Sequence, residues 1–171
     1  MIEPLQKVLN QQDFLETTKQ ELKRIYQYHD DLSMLIINFD NLQQIENGQL
    51  KQNEISQILQ SNLRYDDFLA DLTQDNFVIL LNSANTSAAI NVAQRLYRIL
   101  STISFMSHQN LIYPIIKMGI ASYQETDRNI ENILERAQEA LAMAKHQDHN
   151  FYRVHPYDAS KRASISNSYI S

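Results

Sequence analysis

Metal-ligating side chains crowd one short stretch of the chain, where His146, Asp148 and His149 are followed by His155. Imidazoles and carboxylates together could hold a divalent cation, but their spacing crosses the end of a helical pattern and does not build a designed site. No metal is expected there. Phosphate chemistry is the second option. A backbone that cradles a triphosphate usually needs glycine where chain and phosphate approach closely, and the only glycines are Gly48 and Gly119. No Gly-rich phosphate loop can be written on this chain, which counts against nucleotide-triphosphate chemistry. Smaller features have plain readings. Asp30-Asp31 after His29 reads as a solvated turn, and Tyr26, Tyr97 and Tyr123 as half-buried core or rim residues. Lys161-Arg162-Ala163-Ser164 is similar to a basic phosphorylation motif, yet short basic tracts in tails arise by chance.

The elements that must carry these residues follow from hydrophobic periodicity. The chain has 171 residues, 43% apolar and 20% charged, enough for one domain with a real core. A formal net charge of −5 argues against a non-specific grip on nucleic acid, whose affinity comes mainly from neutralised phosphates. It leaves room for a small anionic ligand held by two or three basic groups. No cysteine is present, so a disulfide framework and thiolate metal sites are excluded and a cytoplasmic location is expected. No apolar run approaches the roughly 20 residues that span a bilayer, and Met1-Ile2-Glu3-Pro4 does not read as a secretion signal.

Asn10 is placed to cap a helix over 11–29, with Asp13 three residues on. Leu32 to Phe39 is an almost continuous apolar run, as expected of a central strand buried on both faces. A second helix is expected over 51–62. Two short runs, 68–72 and 77–81, flank a tight polar connection and read as a β-hairpin. Helix over 86–100, a strand over 111–122 broken by Pro114, helix over 129–145 and a last strand over 151–154 complete the order. This predicts an α+β fold with a mainly antiparallel five-stranded sheet flanked by helices. Residues 1–155 form the domain, and the Ser-rich, aperiodic stretch 156–171 reads as a flexible tail or linker.

Several segments, in order and at matching spacing, resemble the GGDEF family of bacterial cyclic-di-GMP synthases. Glu3-Pro4-Leu5-Gln6-Lys7 through Phe14 is similar to the entry motif DPLTGLxNRRxF, and Ile37 to Ile45 resembles the metal-binding strand and turn IDIDxFKxI. Arg64 to Leu72 resembles RxxDxxARY, which sets Thr73-Gln74-Asp75-Asn76-Phe77 on the GGDEF signature itself. Ala93-Gln94-Arg95-Leu96 resembles AERL, Met118-Gly119-Ile120-Ala121 resembles SIGVA, and Leu134 to Lys145 followed by Asn150 resembles LLxRADxALYxAKxxGxN. The likeness covers about residues 3 to 154 and implies a GGDEF/nucleotidyl-cyclase-like fold.

The departures bear on chemistry. In the family, the two signature glycines let substrate phosphates lie against the backbone; Thr73 and Gln74 stand there. Asp75 keeps one acid of the pair that serves metal binding and activation of the attacking hydroxyl, Asn76 replaces the other, and Asn38 stands at the metal-ligand aspartate. Mg²⁺ prefers carboxylate and phosphate oxygens, and metal-assisted phosphoryl transfer depends on that charge. The guanine-reading loop is shortened to Glu46-Asn47-Gly48-Gln49, so the base-binding positions fall on Glu46 and Gln49. Lys145 matches a phosphate-contacting lysine, though a solvated residue at a helix end is the plainer reading. Asn38, Thr73, Gln74, Asp75 and Asn76 are therefore expected to be a degenerate catalytic set, with no cofactor.

The family often carries a second site, an RxxD motif where product binds and inhibits. Arg64 and Asp67 occupy that register, and Arg95 matches a secondary arginine. A guanidinium can fork onto phosphate or a guanine edge and a carboxylate can accept from guanine N–H groups; the alternative is a surface ion pair worth under about 1 kcal/mol. The expected function is a catalytically inactive regulatory or interaction module in bacterial cyclic-di-GMP signalling. The alternative is a cyclic-di-GMP receptor acting through Arg64, Asp67 and Arg95. Cyclic-di-GMP and other domains or subunits of a signalling protein are the partners to test, with a homodimer left open.

Overall fold

The computed structural model describes residues 8–42, 45, 48–73, 75–147 and 149–157. Its elements run α1 (Gln11–Tyr28), β1 (Leu32–Phe39), α2 (Gly48–Ser61), β2 (Phe68–Thr73), β3 (Asn76–Asn82), α3 (Thr86–Leu100), β4 (Phe105–Ser107), β5 (Asn110–Ile112), β6 (Ile116–Ser122), α4 (Ile130–Lys145) and β7 (Tyr152–Val154). Five strands form one sheet in the order β2-β3-β1-β6-β7. All pairings in it are antiparallel except β6 with β7. This is the α+β architecture that the order of apolar runs implies.

Each boundary has a local cause. The Asn10 side chain accepts from the Asp13 N–H at 2.8 Å and starts α1, while His29 ends it in the left-handed region at φ 53°. Asn85 and Asn129 cap α3 and α4 in the same way, through Ala88 N and Asn132 N. Every residue of β1 is buried, because helices cover both sheet faces. Leu35, Ile37 and Phe39 point into a core shared with α2 and α3; Leu32, Met34 and Ile36 point into a second core with α1 and α4. At Gly119 of β6, an added Cβ would collide with Ala137 O and Leu141 N and sit 2.9 Å from Leu141 Cα. Close seating of α4 on the sheet therefore requires glycine there.

Two expectations need correction. Residues 111–122 are not one interrupted strand: β5 ends at Ile112 and pairs back with β4 as a separate two-stranded hairpin, and β6 starts at Ile116. Asn41 fixes the break, its amide donating to Tyr113 O at 2.8 Å and accepting from Ile115 N at 3.0 Å. The second helix begins at Gly48, not near Lys51, so Gly48 and Gln49 belong to α2 and not to a loop before it. Beyond β7, His155 still packs on α4, with Nε2 2.7 Å from Glu139 Oε2, and the Tyr157 ring lies under the Arg136 guanidinium. The expectations for residues 1–7, Glu46, Gln74, Asp148 and the rest of the tail from Asp158 lie outside the described residues.

Candidate functional site

β1 and the β2–β3 turn bring Asn38, Asp75 and Asn76 together. Asn38 near the end of β1 is the register partner of Asn76 at the start of β3. Asn38 is 3% exposed, and its Nδ2 donates to Asn76 Oδ1 at 2.6 Å. The Asn38 Oδ1 is buried and accepts no hydrogen bond. The turn is tied to the same strand by its backbone, since Phe39 N donates to Asp75 O at 2.9 Å. Thr73 is exposed and pairs with Asn76, with the register shifted between Asp71 and Thr73. Thr73, Asp75 and Asn76 are absent from the residues that take positive φ. At these three positions a side chain therefore brings no backbone strain; what it takes away is room.

A neutral amide pair is chemically unlike an acid pair. Two carboxylates at hydrogen-bonding distance repel and need a cation or a shared proton between them, whereas two amides can hydrogen-bond directly without charge. The two lysines nearest the pair already have partners. Asp40 lies 3.9 Å from Lys145 Nζ, both at least 40% exposed, a contact of little energetic weight. Lys117, cross-strand from Asn38 on β6, donates to Gln147 O at 2.7 Å and Asn150 O at 3.0 Å. It was not singled out by sequence, because a lone lysine in a strand carries no motif; its row beside Asn38 exists only in the sheet.

Arg64 and Asp67 lie at the other end of β3, in the turn between α2 and β2. Asp67 is 2% exposed; its Oδ2 accepts from Arg64 N at 3.0 Å and its Oδ1 lies 3.5 Å from Arg64 Nη2. Burial pushes the Asp67 carboxyl above its ordinary range, against the pull of the Arg64 hydrogen bonds and charge. Arg64 also donates from Nη2 to Asn82 O at 2.6 Å, and Asn82 Nδ2 donates to Asp66 O at 2.6 Å. The pair thus staples the turn to the end of β3. Arg95 on α3 donates to Asn62 O at 2.8 Å, closing the C-terminal end of α2 two residues before Arg64. The two arginines flank one turn; Asp67 faces inward.

Other clusters stay apart from both regions. Asp30 accepts from Ser83, Asp31 N and Arg24, which hold its carboxyl below its ordinary range, Ser83 foremost. With Tyr26, His29, Asp31, Tyr123 and Glu125 it lines a cavity of about 820 Å³ at the Leu32 end of the sheet, away from Asn38. Among the described residues no group of three or more His, Cys, Asp or Glu could hold a metal, and no helix is long and apolar enough to cross a membrane.

The model of the family described as "Diguanylate cyclase, GGDEF domain" matches residues 1–151. Diguanylate cyclase A of Treponema denticola is 30% identical over 125 residues, which are 70% of this chain and 34% of that protein; the chain thus spans about a third of this relative's length. Among solved structures, the active GGEEF domain of a Vibrio cholerae diguanylate cyclase superposes with a TM-score of 0.79 at 20% identity, covering 87% of this chain and 98% of that one. The GGDEF domain of DgcB from Caulobacter crescentus, solved in complex with c-di-GMP, superposes with a TM-score of 0.80 at 12% identity, covering 90% and 95%. At these identities the structures speak to the fold alone, while the family match spans nearly the whole described region. The chain belongs to the diguanylate cyclase GGDEF domain family.

Proposed function

We propose that this chain is a catalytically inactive GGDEF domain, serving as a cytoplasmic regulatory or interaction module in bacterial cyclic-di-GMP signalling. Residues 1–155 make up the module and 156–171 a flexible tail or linker. The observation that carries the reading is the Asn38–Asn76 hydrogen bond of 2.6 Å, which joins two uncharged amides at positions that, by resemblance, hold the family's metal-binding acids. With them go two negative charges that would hold divalent metal against a triphosphate. Thr73 stands where close phosphate approach needs glycine. Incubation with GTP and Mg²⁺ should give no cyclic-di-GMP; steady turnover would sink the reading.

A second reading is a cyclic-di-GMP receptor acting through Arg64, Asp67 and Arg95. It is favoured by the Arg64 side chain, 55% exposed and close to the segment that Arg95 caps, which leaves guanidinium surface for an anion. Weighing against it, Asp67 is buried and already engaged by Arg64. Calorimetry with cyclic-di-GMP separates the two readings: heat that vanishes in Arg64→Ala supports the receptor, and no heat at near-millimolar ligand leaves the interaction module.

A further inference from the structure

An open groove runs along one side of α1. Its middle cavity, of about 730 Å³, lies between Lys19, Leu22 and Tyr26 of α1 and the connection from β6 to α4. This cavity shares Tyr26, Tyr123 and Glu125 with the one of about 820 Å³ at the Leu32 end of the sheet. At its other end it shares Lys19 with a smaller cavity of about 380 Å³ beside Leu15 and Glu131. The three continue one another beside a helix of 18 residues, which is about 27 Å long. That reach suits an extended segment of about eight residues and is more than a small molecule fills.

Charge along the groove is sorted by sign. Lys19, Lys23 and Arg128 stand around the middle cavity, while Asp30 and Asp31 line the end by Leu32, with Glu125 at the boundary. Asp30 is engaged by Arg24 and Ser83. The other five side chains are exposed and make no hydrogen bond or ion pair with another described residue. Close by, opposite charges do meet: Arg24 pairs with Glu21, and Arg136 holds Asp127 at 2.8 Å. Lys19 and Lys23 are like charges one helical turn apart, an arrangement that an isolated helix disfavours. Leu22 and Tyr26, also one turn apart, set apolar surface between the two charged regions, and Tyr123 lines the same cavity. The groove is held in shape, since Tyr123 N donates to Leu32 O at 2.7 Å and Gln124 N to Asp127 Oδ2 at 2.8 Å. A surface already fixed loses little entropy when it is covered.

We infer that this groove docks an extended peptide segment of a partner protein, one that carries charges of both signs around an apolar side chain. Its acidic residue sets over Lys19, Lys23 and Arg128, its apolar residue lies on Leu22, Tyr26 and Tyr123, and its basic residue meets Asp31 and Glu125. The two charged regions are about 10–15 Å apart along α1, which an extended chain covers in roughly three to five residues. A partner of one sign, such as an anionic nucleic acid or membrane surface, is repelled at one end. The inference rests on the interaction reading for its role but not on inactivity: synthesis of cyclic-di-GMP from GTP would sink that reading and leave the docking site standing.

Selection of random phage-displayed peptides of about nine residues on the full chain tests this, with the enriched peptides measured by fluorescence anisotropy. The expected consensus pairs an acidic with a basic residue at that spacing around an apolar one. Such a peptide should bind Lys19→Glu/Lys23→Glu about tenfold more weakly or worse, and Asp31→Lys/Glu125→Lys likewise. Exchanging the peptide's acidic residue for lysine should recover binding to the first variant, which a damaged fold would not allow. A selection that enriches no peptide overturns the inference. So do enriched peptides that lack the charge pair, or binding that either double variant leaves unchanged.

Discussion

The two ends of β3 lie about 20 Å apart, six residues at roughly 3.3 Å each, and they treat polar residues in opposite ways. At Asn76, two amides face each other: Asn38 donates one hydrogen bond to Asn76, while its own Oδ1 is buried and accepts none. At Asn82, charge is kept and turned inward, as Asp67 is buried under Arg64 and Arg64 reaches the Asn82 carbonyl. Residues that resemble one motif can thus meet as an uncharged pair, while residues that resemble another are used by the fold. The first end holds amides joined across two strands. The second has charge largely employed in holding a turn.

The largest effect is expected where α4 seats on β6, the strand next to the one that carries Asn38. Gly119→Ala should force α4 off β6 and cost about 3 kcal/mol or more, because the added methyl meets helix backbone that cannot step aside; thermal denaturation would show it. Placing acids at the first end, Asn38→Asp with Asn76→Glu, should cost about 2–4 kcal/mol at neutral pH, as a buried and a half-buried carboxylate replace a neutral pair. Their folded pKa values would lie above the unfolded ones, so the loss should shrink as pH falls. Recovery in millimolar Mg²⁺ would mean that the site still accepts metal.

At the second end, Asp67→Ala should cost about 1–3 kcal/mol in urea denaturation by removing the acceptor for Arg64 N, and Asp67→Asn less, since an amide oxygen can still accept. If both variants are neutral, the pair is not a staple and the receptor reading gains. The smallest effect belongs to Asp71, beside the signature turn. Its Oδ1 is buried without a hydrogen bond, and burial holds its carboxyl above the ordinary range, eased by Gln52. A folded pKa above the unfolded one means the charge is unfavourable in the native state. That penalty is absent below the unfolded value, about pH 4, and grows as pH rises through the folded one. Asp71→Asn should therefore match the wild type in acid and melt slightly higher than it near neutrality, measured as melting temperature against pH.

How much was legible varies with the range of the interaction concerned. β1 spans the apolar run Leu32–Phe39, and α3 begins one residue past an asparagine cap, because burial pattern and capping are local signals. The β4–β5 hairpin left no such trace. Its strands are three residues each, and its turn places His108 and Gln109 at φ 50° and 68° without the Asn-Gly or Gly pair that marks such turns. The substitutions at positions 38 and 76 were visible as letters; that their amides touch was not.

By itself the sequence determined the family and the order of the main elements, and it puts amides at 38 and 76. These follow from residue type and spacing along one dimension. Only the tertiary structure decided what those residues do. Strand register set Asn38 against Asn76, burial turned Asp67 inward, and α1 met the β6–α4 connection along one open groove. Hydrogen bonding and burial depend on which distant segments meet, and that is settled by packing.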